Sequence, residues 1–265
     1  MGPIRIGLVS VAVLGAAVAA WYFWPGEPAQ LPAPAPAAKV APAPAAEPPP
    51  EHYPVPEAAP PKDAKAPGKP LPALGESDQD MQGAIASLIG SEAFRRFFNL
   101  EGLVRNIVVT IDNLPRKTFA MRLSPLKPVG GLIVTTGRNE TLALAPENAA
   151  RYAPWMSVLE KIDAKKLVAF YDRFHPLFQQ AYVELGYPTG HFNTRLVKVI
   201  DHLLTTPEVT EPIRLTVPHV LHEYADPALE SESAGRKVLY RLGPANAAKV
   251  KAKLREIRRE LVHAR

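Results

Sequence analysis

The residues of this chain best suited to proton chemistry lie in two neighbouring segments. Asp172, Arg173, His175 and Glu184 share one apolar-periodic stretch, and Asp201 and His202 sit in the next. A carboxylate and an imidazole brought together across a helix hairpin can move protons. The same residue types also build solvated faces and structural ion pairs. A second cluster, His219-Val-Leu-His222-Glu223, sets two imidazoles beside a carboxylate. A zinc protease needs H-E-x-x-H on a helix, so that both rings share a face. The order here is different, and on a strand residues three apart point to opposite faces. These histidines read as surface or edge residues, and no metal is expected. The chain has no cysteine, which excludes disulfides, thiolate metal sites and a cysteine nucleophile. Gly130-Gly131 lacks the G-x-x-x-x-G-K-[ST] pattern of a phosphate loop and reads as a turn. No G-x-S-x-G is present. No catalytic residue and no cofactor is assigned on these grounds.

Two groups of residues are suited to binding instead. Tyr171, Tyr182, Tyr187 and Phe192 gather near a helix–turn–helix junction. They form either aromatic core or a groove for a partner, with Asn193, Arg195 and Asp201 as its polar rim. The last segment repeats Val250, Leu254, Ile257 and Leu261 at helical intervals, with Lys249, Lys251, Lys253, Arg255, Arg258 and Arg259 on its flanks. This helix either packs by its stripe with a solvated basic back, or meets an acidic partner such as lipid headgroups or a wall polymer. Net charge supports the polarity of this end. Residues 75–235 hold 16 Lys+Arg against 19 Asp+Glu, whereas residues 236–265 hold 10 against 2.

The elements that position these groups read as mostly helical. Ser77 or Asp78 can cap a helix carrying Met81, Ile85, Leu88 and Ile89, which Gly90 ends. Short helices are expected over 92–98 and 100–114, and another over 147–161. Asp163 should cap a long helix to Leu185, kinked by Pro176 near Asp172 or Arg173. Gly186-Tyr187-Pro188 ends it, and a further helix covers 193–204. Two β-prone runs, 132–136 and 141–144, flank a Gly-containing turn and predict a small hairpin. Residues 213–223 alternate and read as a strand. A short helix over 233–242 and a last one from Pro244 complete the expected fold: mainly α, or α+β with a minor hairpin or small sheet.

The N-terminal part is of another kind. Residues 6–24 contain no charge, follow Arg5 and end in Trp21, Tyr22 and Trp24. About 20 apolar residues suffice to cross a hydrocarbon core. The flanking cation and closing aromatics predict an uncleaved transmembrane helix with residues 1–5 in the cytoplasm. The competing reading is a signal peptide cleaved after Ala17-Val18-Ala19. Of the chain's 30 prolines, 17 fall within residues 25–74. Proline fixes φ and restricts its predecessor, so this stretch reads as an extended, disordered Pro/Ala-rich linker. Residues 75–265 are then a globular domain long enough to bury its own core.

The stretch Pro176-Leu-Phe-Gln-Gln-Ala-Tyr-Val-Glu-Leu-Gly-Tyr-Pro188, followed by Phe192-Asn193, Arg195 and Ile200-Asp-His-Leu-Leu204, resembles a bacterial family catalogued only as a domain of unknown function (number 3014). Tyr224-Ala-Asp-Pro-Ala-Leu-Glu230, Ser233-Ala-Gly-Arg-Lys237 and Arg241-Leu-Gly-Pro244 resemble its C-terminal part. The resemblance covers roughly residues 74–261. It implies an N-terminal membrane segment and a proline-rich stretch, and no activity.

The expectation is a single-pass inner-membrane protein with a periplasmic helical domain. The domain would act as a non-catalytic interaction module of the cell envelope, with an envelope protein or an acidic wall or lipid partner and no nucleic acid. The alternative is an anchored hydrolase or transferase using Asp, Glu and His on the central helices.

Overall fold

The computed structural model describes Tyr53 and residues 70–218 and 221–263. The expected cytoplasmic stub, the membrane segment and the linker, apart from Tyr53 and residues 70–74, lie outside the described residues. His219 does as well. Among the described residues no helix is long and apolar enough to cross a membrane.

The architecture is mainly helical, with two small two-stranded sheets. Nine α-helices are described: α1 (Asp78–Ile89), α2 (Ser91–Phe97), α3 (Leu103–Asn113), α4 (Ala153–Lys161), α5 (Ala164–Glu184), α6 (Phe192–Leu204), α7 (Pro227–Ser231), α8 (Ala234–Leu242) and α9 (Pro244–His263). The longest, α5, runs without interruption past Pro176 and packs most extensively against α3 and α9. Its start is fixed as the sequence requires, with the Lys166 amide donating to the Asp163 carboxylate at 3.0 Å. Val168, Tyr171, Phe174, Leu177, Phe178, Ala181 and Tyr182 form its buried face.

The start of the domain is organised differently from the expectation. The Ser77 side chain does not cap α1, and Asp78 is the first residue of that helix. The Ser77 hydroxyl donates back to the Leu74 carbonyl, 2.8 Å away. The Asp78 carboxylate instead accepts from the Gly102 and Leu103 amides, at 2.8 and 2.9 Å, and so caps α3 from a distance. Gly102 is left-handed at φ 61, which is why α3 starts at Leu103 and not at Leu100.

The segment expected as a helix over 147–161 divides into a 3-10 segment, Pro146–Tyr152, and α4. Pro154 explains the division, since a residue without an amide hydrogen suits a helix start better than its interior. The predicted hairpin is present but short: Thr135–Thr136 (β1) pairs antiparallel with Ala143–Leu144 (β2). Its turn requires glycine. Gly137 has φ +75, and a Cβ there would lie 2.3 Å from the Thr141 carbonyl oxygen. The strand expected over 213–223 is two short strands, Leu215–Thr216 (β3) and Glu223–Tyr224 (β4), paired with each other. Pro218 lies between them and supplies no amide for a continuous ladder.

Apolar residues collect in three clusters. The largest joins α1, α2, α3, α5, α6 and α9. A second, with Met156, Val199, Leu203, Leu239 and Leu242, holds α4 and α8 against α6. The third, Ile213, Leu215, Tyr224 and Tyr240, lies beneath the small sheets.

The approach of α8 to α6 depends on Gly235. Its amide donates to the Leu114 carbonyl at 2.8 Å. A Cβ there would meet Leu203 Cδ2 at 2.6 Å and the Leu114 oxygen at 3.0 Å. Gly235→Ala should therefore lower unfolding free energy by about 1–3 kcal/mol, as overpacking of a tight contact does, which urea denaturation would measure.

Candidate functional site

Asp112 occupies a position that apolar periodicity reserves for a core residue. Val104, Val108 and Asp112 recur every four residues on α3, and all three are buried. A lone carboxylate there is costly unless it is paired and hydrogen-bonded. Asp112 is both. Arg195, from α6, donates through Nε to Asp112 Oδ1 at 2.9 Å and through a terminal nitrogen to the Asp112 main-chain oxygen at 2.7 Å. Arg116 donates to Oδ2 at 2.5 Å, and the Tyr187 hydroxyl donates to the same oxygen at 3.2 Å. Arg116 also donates to the Tyr187 hydroxyl oxygen at 2.7 Å. The neighbouring carboxylate of Asp112 holds the Arg116 guanidinium above its already high ordinary value.

The turn between α5 and α6 is built to deliver Tyr187 to this cluster. Gln179 clasps it, donating to the Gly190 carbonyl at 2.7 Å and accepting from the Phe192 amide at 2.8 Å. Tyr187 stacks on Tyr182 with ring centroids 4.5 Å apart. Any Cβ at position 190 would lie 2.8 Å from the Tyr182 ring, so only glycine fits there. Phe192 stacks on Phe178 at 5.8 Å, and Phe178 on Tyr171 at 5.7 Å. Of the two readings of the aromatic group, core or groove, these rings form a buried ladder: Tyr171, Tyr182, Phe192 and Asn193 are at most 8% exposed. Burial pushes the Tyr182 hydroxyl above its ordinary value. Of that group, Tyr187 and Arg195 remain partly accessible at the Asp112 cluster, and Asp201 lies elsewhere.

The acid–base residues have separate partners. Glu184 accepts from Arg105 at 2.9 Å and from Gln180 at 3.1 Å. Asp201 receives both nitrogens of an Arg258 fork. His202 Nε2 lies 2.7 Å from the Ser233 hydroxyl, which also caps α8. His175 lies edge-on to the Tyr171 ring at 5.6 Å. Glu184, Asp201 and His202 thus serve three separate contacts.

The basic residues of α9 divide in the same way. Lys251 donates to the Thr206 carbonyl at 2.6 Å, just past the end of α6. Lys253 donates to the Ile162 carbonyl at 2.8 Å, at the end of α4, and to Glu256 at 2.7 Å. Cations at helix C-termini satisfy orphan carbonyls and oppose the local negative potential. Lys249 pairs with Glu160 at 2.7 Å, and Arg258 holds Asp201. Arg255 and Arg259 are exposed, with no partner among the described residues.

The opposite face of α9 borders a pocket that the sequence reading did not anticipate. Leu254 and Ile257 line it, together with Ile85 from α1, Ile107 from α3, Phe170 from α5 and Leu196 from α6. Its volume is about 360 Å³, and apart from the Tyr171 ring every lining side chain is aliphatic or phenyl. Residues at these positions satisfy helical periodicity in sequence. Nothing in that periodicity tells a filled interface from an incompletely filled one. Asp112 was legible in principle, as the one carboxylate on an apolar stripe.

Two titrations follow from this geometry. Asp112→Asn should cost about 3 kcal/mol of unfolding free energy in urea, because Arg195 then faces a partly buried site without its counter-charge. Burial, reinforced by the positive charge of Arg236, holds His202 below the ordinary 6.5. The unfolded chain then binds the proton more readily than the folded one. Stability conferred by neutral His202 is complete above about pH 6.5 and declines as pH falls below it. His202→Gln should flatten the loss of melting temperature between pH 7 and pH 5 relative to the wild type.

Neither a search of curated proteins nor a search of solved structures returned a match for this chain. A family model described as "Protein of unknown function (DUF3014)" matches residues 103–258, from the first residue of α3 to the arginine that holds Asp201. That match spans the Asp112 cluster, the α5–α6 turn and most of α9, and on it the chain belongs to the DUF3014 family.

Proposed function

We propose that this domain is a non-catalytic binding module of the cell envelope, tethered to the inner membrane by its N-terminal segment, and that its ligand carries an unbranched hydrocarbon chain. The observation behind this reading is the pocket of about 360 Å³ walled by apolar side chains from five helices. Small-molecule sites have volumes of roughly 300–1,000 Å³ and mostly apolar walls. An apolar void forfeits dispersion contacts along its lining, which an occupant restores. The lining carries no charged group that would favour a polar ligand.

The position of α9 supports an acidic surface around that chain. One face of the helix lines the pocket through Leu254, Ile257 and Leu261, while Arg255 and Arg259 are exposed on the same helix. The arginines lie on the far side of the helix from the pocket, where neighbouring acidic headgroups or wall polymer would meet them while the hydrocarbon chain of a lipid or acylated envelope component fills the pocket. The separate pairing of Glu184, Asp201 and His202 supports binding over acid–base chemistry, since each already serves a structural contact.

A chain-length series tests the reading. Each methylene moved from water into the pocket should contribute about 0.8 kcal/mol. Affinity for straight-chain carboxylates, measured by calorimetry, should therefore rise about tenfold for every two carbons and level off once the pocket is full. Leu254→Phe and Ile107→Phe should each weaken binding of the longer chains at least tenfold without lowering the melting temperature. Affinity that does not change with chain length would contradict the proposal.

A further inference from the structure

Tyr53 stands apart in sequence from the rest of the described chain, within the proline-rich stretch, yet it sits on the domain. Its amide donates to the Thr194 hydroxyl oxygen at 3.2 Å. Its carbonyl accepts from Asn193 Nδ2 at 2.9 Å. Its ring packs, partly buried, against the main core cluster. Two adjacent side chains at the start of α6 thus read both backbone groups of one residue, which is how an extended peptide is held irrespective of its sequence. The aromatic ring adds the side-chain preference.

The receptor side is a built site. Asn193 is 1% exposed and follows the buried Phe192 in the first turn of α6. Its Oδ1 is also buried and accepts no hydrogen bond among the described residues. A buried carbonyl oxygen without a donor costs about 1–3 kcal/mol. One more N–H from an extended ligand at this place would remove that cost.

The geometry points to a peptide-backbone site at Asn193 and Thr194 for an extended segment bearing an aromatic residue, with Tyr53 as its intramolecular ligand. Tyr53 is then latched to the domain at the start of α6. This inference is independent of the apolar pocket, and either can fail without the other.

A synthetic peptide covering residues 49–57, labelled for fluorescence anisotropy, tests it with the full-length chain. Linkage gives Tyr53 an effective concentration of order millimolar, so the tether should outcompete added peptide. Tyr53→Ala should bind the peptide at least tenfold more tightly than the wild type. Adding Asn193→Asp, which replaces the donor with a second acceptor at the same shape, should abolish that binding. If this variant does not fold, Thr194→Val in the Tyr53→Ala background should weaken binding about three- to tenfold. In the wild type the Tyr53 amide should be protected from hydrogen exchange, and Thr194→Val should remove the protection. Equal peptide affinity for wild type and Tyr53→Ala, no binding to Tyr53→Ala, or an unprotected Tyr53 amide would each overturn the inference.

Discussion

Asp112 is the constraint to which the rest of the domain is fitted. A carboxylate 2% exposed on an apolar stripe has lost its water, and that loss is recovered only if every lone pair finds a donor at the right place. The donors come from three parts of the chain: Arg116 from just beyond α3, Arg195 from α6 and Tyr187 from the α5–α6 turn. Meeting that requirement fixes how far α6 is turned about its axis and how the turn is folded. Gly190, the Gln179 clasp and the Tyr182–Tyr187 stack all place one hydroxyl on one oxygen. A buried ionic group of this kind adds less to net stability than to the choice of one arrangement over others.

From that fixed position α6 acts as the hub of the fold. Arg195 ties it to α3, Asp201 to α9 and His202 to the cap of α8. The residues with the most chemical potential in the sequence are thereby committed to contacts between elements. The same holds for Lys251 and Lys253, which close the ends of α6 and α4. The pocket beneath α9 and the exposed Arg255 and Arg259 remain uncommitted. The binding reading rests on those remaining features.

Much of the fold was legible in the sequence. Helices show a strong signal when apolar spacing and punctuation agree, as at Asp163 before α5 and Gly186 after it. The caps at Ser77 and Asp78 were misread because their oxygens serve the Leu74 carbonyl and the distant start of α3, and local pattern holds no record of such contacts. The long strand expected over 213–223 failed at Pro218. The candidate site was less legible. Tyr171, Tyr182 and Phe192 are close in sequence pattern, but whether a ring lines a groove or fills a core depends on what covers it. Asp112 breaks the apolar stripe of α3 and so leaves a trace in the sequence, whereas Gln179 leaves none, because a single polar residue within a helix has an ordinary reading until its partners are known. The pocket depends on how well five helices fill the space between them, which is a property of volumes in three dimensions.

The central claim, that an alkyl chain occupies the space between α1, α3, α5, α6 and α9, is tested most directly by isotope-filtered nuclear Overhauser contacts. The protein would carry labelled isoleucine and leucine methyl groups, and the ligand would be unlabelled decanoate. The account predicts ligand contacts to Ile107, Ile111, Leu196, Leu254 and Ile257, and none to Ile213 or Leu215 beneath the small sheets. Contacts confined to methyl groups outside the pocket, or none at saturating ligand, would contradict it.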